Sequence, residues 1–248
     1  MKEVTVVKFG GSLAKNETAR KKFLDELAKI SKKENIVLIH GGGPEINAWL
    51  NKLGIESRFL KGLRFTDDQT LEIVEMVLSG KVNKYFVGEL YKRGVLACGI
   101  SGRDCGLAPS RQIKKLGLVG EPGKINPAII KTLLSAGFIP VISSLGLGPK
   151  GKALNLNADS LAMAVAVCLK ARRLILLTDV CGVLDENKMT IPCVRLPDVN
   201  GLISRGVVSG GMIPKLKACA RSVKNGIREV WIADGAKGVK TLKGTLIK

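Results

Sequence analysis

The sequence predicts an α/β fold with a mostly parallel central sheet covered by helices. Two patterns carry that expectation. Short runs rich in Val and Ile alternate with longer stretches of helical period, and glycine-rich turns close the first two of those runs.

The runs place six strands, over residues 4–9, 36–39, 95–100, 139–142, 174–177 and 229–232. Between them, residues 16–30 bring Phe23, Leu24, Leu27 and Ile30 onto one stripe, and residues 68–77 do the same with Leu71, Val74 and Val77, as amphipathic helices require. The apolar stretch 161–169 stops at Lys170-Ala171-Arg172-Arg173, well short of the roughly 20 residues that span a bilayer, and reads as a buried helix. Residues 107–123 are rich in Gly, Lys and Pro and read as small strands or a hairpin. A soft boundary near 170–173 divides a single domain, 1–248, into two lobes, 1–170 and 171–248, that share one sheet.

With 248 residues, 46% of them hydrophobic, the chain can bury a substantial core. The start, Met1-Lys2-Glu3-Val4, runs straight into a strand and reads against a secretory leader. Six cysteines lie scattered without a C-x-x-C pair, and the only histidine is His40. That set reads against a zinc site and fits reduced thiols in a cytoplasm. The formal charge of +19, from 40 Lys and Arg against 21 Asp and Glu, suits nucleic acid, an anionic cofactor, an acidic partner protein or a plain solvated basic surface. Charge alone does not choose among these. The few aromatics are not interleaved with basic residues, so the stacking platform of a single-strand nucleic-acid binder is missing.

Three glycine clusters compete for the role of phosphate cradle. Lys8-Phe9-Gly10-Gly11-Ser12 and His40-Gly41-Gly42-Gly43-Pro44 each follow a strand and precede a helical pattern. The carboxyl ends of parallel strands are where open α/β sheets bind ligands, and glycine there lets backbone N–H groups approach phosphate oxygens. A tight strand-to-helix turn explains an isolated Gly-Gly equally well. The third cluster, Gly146-Leu147-Gly148-Pro149-Lys150-Gly151-Lys152-Ala153, matches G-x-G-x-x-G and nearly matches a P-loop, with Ala153 where a hydroxyl belongs. Its context differs: Pro149 interrupts it and strand-like alternation follows, so it reads as a hairpin.

Phosphoryl transfer needs positioning, magnesium, and positive charge or N–H dipoles where negative charge spreads. Lys8 and Lys215 are candidates for the positive charge, and Asp159 for the carboxylate that orients them, unless Asp159 merely caps a helix beginning at Ser160. Arg64 offers a planar two-pronged head for an acceptor carboxylate, or is a surface arginine. His40 reads as a structural residue of its turn. Thr178-Asp179-Val180-Cys181-Gly182-Val183 ends a buried strand, where it suits a nucleotide or simply turns the chain.

Further ordered motifs are Gly62-Leu63-Arg64-Phe65-Thr66, Glu75-Met76-Val77-Leu78, Val82-Asn83-Lys84, Asn155-Leu156-Asn157-Ala158-Asp159, Leu176-Leu177-Thr178-Asp179-Val180 and Ser209-Gly210-Gly211-Met212-Ile213-Pro214-Lys215. Together with the two glycine turns they run nearly end to end, and in this order the chain resembles the amino acid kinase family, in particular its members that act on N-acetyl-L-glutamate. The resemblance implies a three-layer αβα sandwich with an N-terminal lobe that binds the acceptor and dimerises, and a C-terminal lobe that binds ATP. It implies that Lys8 and Lys215 neutralise the phosphoryl group in flight while Asp159 holds both. Gly10, Gly11, Gly42 and Gly43 would meet the phosphates, and Gly42, Gly43, Arg64 and Asn155 the acceptor. Thr178, Asp179, Gly182, Gly210, Gly211 and Met212 would meet the nucleotide. Mg2+ would ride on ATP oxygens, with no protein metal site of its own. Arginine-regulated members carry an extra helix before the first strand; with three residues before Val4, a homodimer without arginine feedback is expected. Two alternatives stand beside this: a kinase for 2-aminoadipate or glutamate tethered to an acidic carrier protein, which the charge favours, and a non-catalytic nucleotide- or nucleic-acid-binding module.

Overall fold

The computed structural model describes residues 2–10, 16–60, 62–208, 212–239 and 242–248. In chain order, β1 (Val4–Phe9), α1 (Glu17–Ser31), β2 (Asn35–His40) and α2 (Gly43–Lys52) lead to a small hairpin of β3 (Phe59–Leu60) and β4 (Leu63–Arg64). Then α3 (Asp68–Glu75) continues through a π-helical stretch (Met76–Val82) into α4 (Asn83–Tyr91), followed by β5 (Ala97–Ser101), β6 (Ser110–Gln112), β7 (Val119–Pro122), α5 (Ala128–Ser135) and β8 (Ile139–Ser143). The rest comprises β9 (Leu145–Leu147), β10 (Ala153–Leu156), α6 (Ala158–Cys168), β11 (Arg173–Thr178), β12 (Cys193–Val194), α7 (Asp198–Ser204), α8 (Met212–Lys224), β13 (Glu229–Asp234) and β14 (Gly244–Ile247).

Eight strands form the central sheet in the order β12-β14-β13-β11-β1-β2-β8-β5, and every neighbouring pair is parallel except β13 and β14. Both faces are covered, as alternation along the strands dictates. Val6, Val37, Ile39, Leu174 and Leu176 pack with Leu161, Val165 and Leu216 of α6 and α8. On the other face Val7, Phe9, Leu38 and Leu177 pack with Phe23, Leu24 and Leu27 of α1 and with Phe86 of α4. The result is the three-layer αβα sandwich. Each of those fully buried large side chains contributes roughly 1.5–3 kcal/mol.

The six expected strands all lie in this sheet. The third begins two residues late, at Ala97, because the Val95 N–H is taken by the Leu90 carbonyl at the end of α4. Side-chain caps start α1 and α3: Asn16 accepts from Ala19 N at 3.0 Å, and Asp67 from Thr70 N at 2.8 Å. The helix expected over 68–77 ends as an α-helix at Glu75 and widens into the π-helical stretch. Residues 107–123 form the hairpin of β6 and β7, which joins β10 and β9 in a separate four-stranded sheet. The glycine cluster at 146–153 lies in the antiparallel turn between β9 and β10, where Gly148 N donates to Lys152 O at 2.7 Å. It opens no helix.

Strand order reverses at β1. The chain moves from β1 to β2 on one side and later returns to β11 on the other, so a crevice opens at the carboxyl ends of these three strands.

Candidate active site

Three charged side chains meet in that crevice. Lys8 is the penultimate residue of β1, on the same face as Val6, and so points toward α6. Its Nζ lies 2.8 Å from Asp159 Oδ1, while Lys215 Nζ, from the first turn of α8, lies 3.5 Å from Asp159 Oδ2. The three side chains are 11%, 19% and 22% exposed, in the order Lys8, Asp159, Lys215. Burial by itself would raise the Asp159 pKa, but the two ammonium groups outweigh it and hold the carboxyl below its usual range. The capping role considered for Asp159 falls to Asn157, whose side chain accepts from Ser160 N at 3.0 Å; α6 starts at Ala158, which leaves Asp159 free to face the lysines.

The glycine turns border the same place. A Cβ on Gly10 would come within 2.7 Å of the Leu177 carbonyl oxygen and 3.4 Å of Lys8 Nζ, so only glycine fits between β1 and β11. A Cβ on Gly42 would lie 2.7 Å from Leu78 Cδ2, whereas one on Gly43 would meet nothing within 4 Å. Gly43 therefore fronts open space, and Pro44 sits in the first turn of α2, where its missing N–H is harmless. Gly11, Gly210 and Gly211 lie outside the described residues.

Gly42, Gly43, Arg64 and Asn155 line one cleft of about 180 Å³, together with Ala158, the neighbour of Asp159. Arg64 is 8% exposed. Its Nη1 donates to Ser57 Oγ at 2.9 Å, Nη2 donates to Asn47 Oδ1, and the guanidinium lies 4.7 Å over the Phe59 ring. Two of its five N–H donors are thus used for orientation and the rest remain for a ligand. Asn155 Nδ2 donates to Thr66 Oγ1 at 3.1 Å.

On the β11 side, Thr178 is buried and its hydroxyl accepts from Val180 N at 3.0 Å and faces Asp179 Oδ1 at 3.4 Å. Gly182 has φ +131, and a Cβ there would lie 2.6 Å from Thr245 Oγ1; packing against β14 explains this glycine. Met212 packs on the core shared by α6 and α8. Asp234 ends β13 beside this loop, 3.6 Å from Lys237 Nζ, with its Oδ2 3.6 Å from Cys181 Sγ.

Sequence reasoning missed Asn47 and Ser57, which orient Arg64, and placed Asn83 in a motif without its role of bonding His40. Asn47 follows Gly43 by one helical turn, a spacing that places both on one face of α2. Ser57 carries no comparable signal. Among the described residues, no three His, Cys, Asp or Glu side chains gather to hold a metal ion.

The chain matches the amino acid kinase family over residues 3–234. It is similar to an acetylglutamate kinase of Endomicrobium trichonymphae, 53% identical over 248 residues and the whole of both chains, and to one of Clostridioides difficile strain 630, 45% identical over 93% of this chain and 82% of the relative. Among solved structures it is similar to smu.665 from Streptococcus mutans UA159, with a TM-score of 0.87, 32% identity, and coverage of 100% of this chain and 99% of that one. A carbamate kinase from Giardia lamblia bound to AMP-PNP has the same fold, with a TM-score of 0.73 at 17% identity over 99% of this chain and 98% of that one. The chain belongs to the amino acid kinase family.

Proposed function

We propose that the chain transfers the γ-phosphoryl group of ATP to the side-chain carboxylate of N-acetyl-L-glutamate, giving ADP and N-acetyl-L-glutamyl 5-phosphate, a step of arginine biosynthesis. The observation that carries this reading is the pair of ammonium groups held on one carboxylate beside the cleft of Arg64. The acceptor carboxylate is already anionic at neutral pH, so no base is needed. One of its oxygens forms the new bond to the γ-phosphorus as the bond from that phosphorus to the β,γ-bridging oxygen breaks, and no proton moves. Lys8 and Lys215 offset the charge spreading over the transferred group, and Asp159 holds both in place. Backbone N–H groups at Gly10, Gly42 and Gly43 meet the phosphates, and Gly11 is assigned the same role. Arg64 grips the carboxylate that does not react, with Asn155 beside it.

The nucleotide belongs over the β11 side, with Thr178, Asp179, Gly182, Gly210, Gly211 and Met212. This makes residues 1–170 the acceptor lobe and 171–248 the nucleotide lobe. Asp159 has each oxygen against an ammonium and is a poor magnesium ligand; Mg2+ fits better as an ion carried in on ATP oxygens. A homodimer in the cytoplasm completes the proposal. The six cysteines are free thiols, which suits a reducing compartment. The acetylglutamate kinase relatives, 40–53% identical, favour neither the carrier-linked kinase nor the non-catalytic module.

A coupled ADP-release assay with Mg-ATP tests this reading against a panel of N-acetylglutamate, N-acetylaspartate, glutamate and 2-aminoadipate. Turnover should depend on N-acetylglutamate and exceed that with the other acids. Absence of N-acetylglutamate-dependent turnover ends the proposal.

A further inference from the structure

We infer that His40 is a positioning residue: its Nδ1–H holds the Gly41 carbonyl and so aims the Gly42 N–H at the transferring phosphoryl group. The inference rests on the kinase reading above. His40 ends β2 and is 0% exposed. Its Nδ1 lies 2.9 Å from Gly41 O, and its Nε2 lies 3.2 Å from Asn83 Nδ2. A carbonyl oxygen only accepts, so Nδ1 carries the proton; the Asn83 amide nitrogen only donates, so Nε2 accepts.

The surroundings fix that Asn83 orientation. Its Nδ2 also lies 2.9 Å from Val141 O and 3.2 Å from Ile100 O, while its Oδ1 accepts from Lys84 Nζ at 3.2 Å. A flipped amide would set oxygen against two carbonyl oxygens and nitrogen against an ammonium. Asn83 Nδ2 has two hydrogens for three acceptors, so they are shared, and the neutral Nδ1–H tautomer of His40 is the one that sets a donor against an acceptor at every contact. Burial pushes the imidazole down to about 4, which keeps it neutral.

Peptide planarity carries this to the site. In a trans peptide the carbonyl of one residue and the N–H of the next point to opposite sides. With the Gly41 carbonyl turned to the buried ring, the Gly42 N–H points away from it, on the loop that lines the acceptor cleft. The π-helical stretch supports the loop from behind: Leu78 and Val82 sit where a Gly42 side chain would be, and Asn83 follows at the start of α4. A donor aimed in advance stabilises developing charge without reorganising at the moment of reaction.

Two experiments test this. The chain has a single histidine, so nitrogen-15 NMR of the ring reads one imidazole without ambiguity. The expected result is a protonated Nδ1 and an unprotonated Nε2 that do not change between pH 6 and 8; an Nε2–H tautomer or an ordinary titration in that range overturns the inference. The second experiment compares His40→Asn with His40→Gln. The Asn amide places an N–H near the position of Nδ1, whereas Gln reaches toward that of Nε2. Per folded molecule, kcat of His40→Gln should fall by about 10- to 100-fold with KM values little changed, and His40→Asn should recover most of that loss. A residue that only fills the core would favour the bulkier Gln, so a Gln variant as active as the Asn variant contradicts the inference. If neither variant folds, the NMR result decides. A parent enzyme without N-acetylglutamate-dependent turnover would sink the kinase reading instead, and the ring tautomer would still report on the hydrogen bond.

Discussion

The Gly41–Gly43 turn and the Gly146–Gly151 segment are both glycine-rich loops that follow a strand, yet the fold uses them in opposite ways. The first sits at the carboxyl end of a parallel strand and opens α2, with open space over Gly43. The second joins two antiparallel strands of the small sheet, and its glycines make room for protein: a Cβ on Gly146 would lie 2.3 Å from Ser110 Oγ, and one on Gly148 would lie 2.9 Å from Leu154. Its lysine, Lys152, reaches an exposed Asp68, whereas Lys8 is buried on Asp159. A glycine pattern is thus a candidate phosphate site only where strand direction leaves the backbone facing open space.

Removing the lysines should break the comparison open most widely. Lys8→Ala or Lys215→Ala should each lower kcat by ~100-fold or more, as loss of a preorganised transition-state donor does, while Lys152→Ala should stay within about twofold. Steady-state ADP release checks all three.

Alanine in each glycine segment should separate function from packing. Gly43→Ala has room for its methyl, so melting temperature should hardly move while kcat/KM falls about 10-fold or more, the methyl standing where a phosphate oxygen approaches. Gly148→Ala should do the reverse, lowering stability by about 1–3 kcal/mol through overpacking against Leu154, with kcat per folded molecule retained. Calorimetry paired with kinetics reads both.

Arg64→Lys sharpens the acceptor side. Lysine cannot reproduce the forked contacts to Ser57 and Asn47 or a two-pronged grip on a carboxylate, so KM for the acceptor should rise by about 10-fold with a smaller change in kcat.

The last effect concerns His40 and pH. Its folded pKa of about 4 lies below the ordinary 6.5, so the unfolded chain takes up the proton first. The stability His40 protects is complete above pH 6.5 and declines as pH falls toward 4, by roughly 3 kcal/mol over that window. Denaturant melts should show this slope in the parent protein and lose that part of it in His40→Asn.

Much of this arrangement is legible in the residues. Continuous Val and Ile runs mark the strands of the sheet core because both faces are buried, and Lys8 stands out as a charge closing such a run. Strands β3, β4 and β12 escape because two residues carry no period, and β14 because it opens on Gly244 after a polar approach. The meeting of Lys8, Asp159 and Lys215 is invisible to spacing, since β1, α6 and α8 come together only when the chain returns to the far side of β1. Asn83 is hidden for a similar reason: its partners, His40, Val141 and Ile100, belong to three different strands.

The most direct test is a structure of the enzyme with ADP, N-acetylglutamate, Mg2+ and a planar metal-fluoride mimic of the phosphoryl group. The account predicts that the mimic lies between ADP and the acceptor carboxylate, with Lys8 Nζ and Lys215 Nζ each within about 3.2 Å of its fluorides. A mimic bound away from both ammonium groups, while these remain on Asp159 alone, would contradict it.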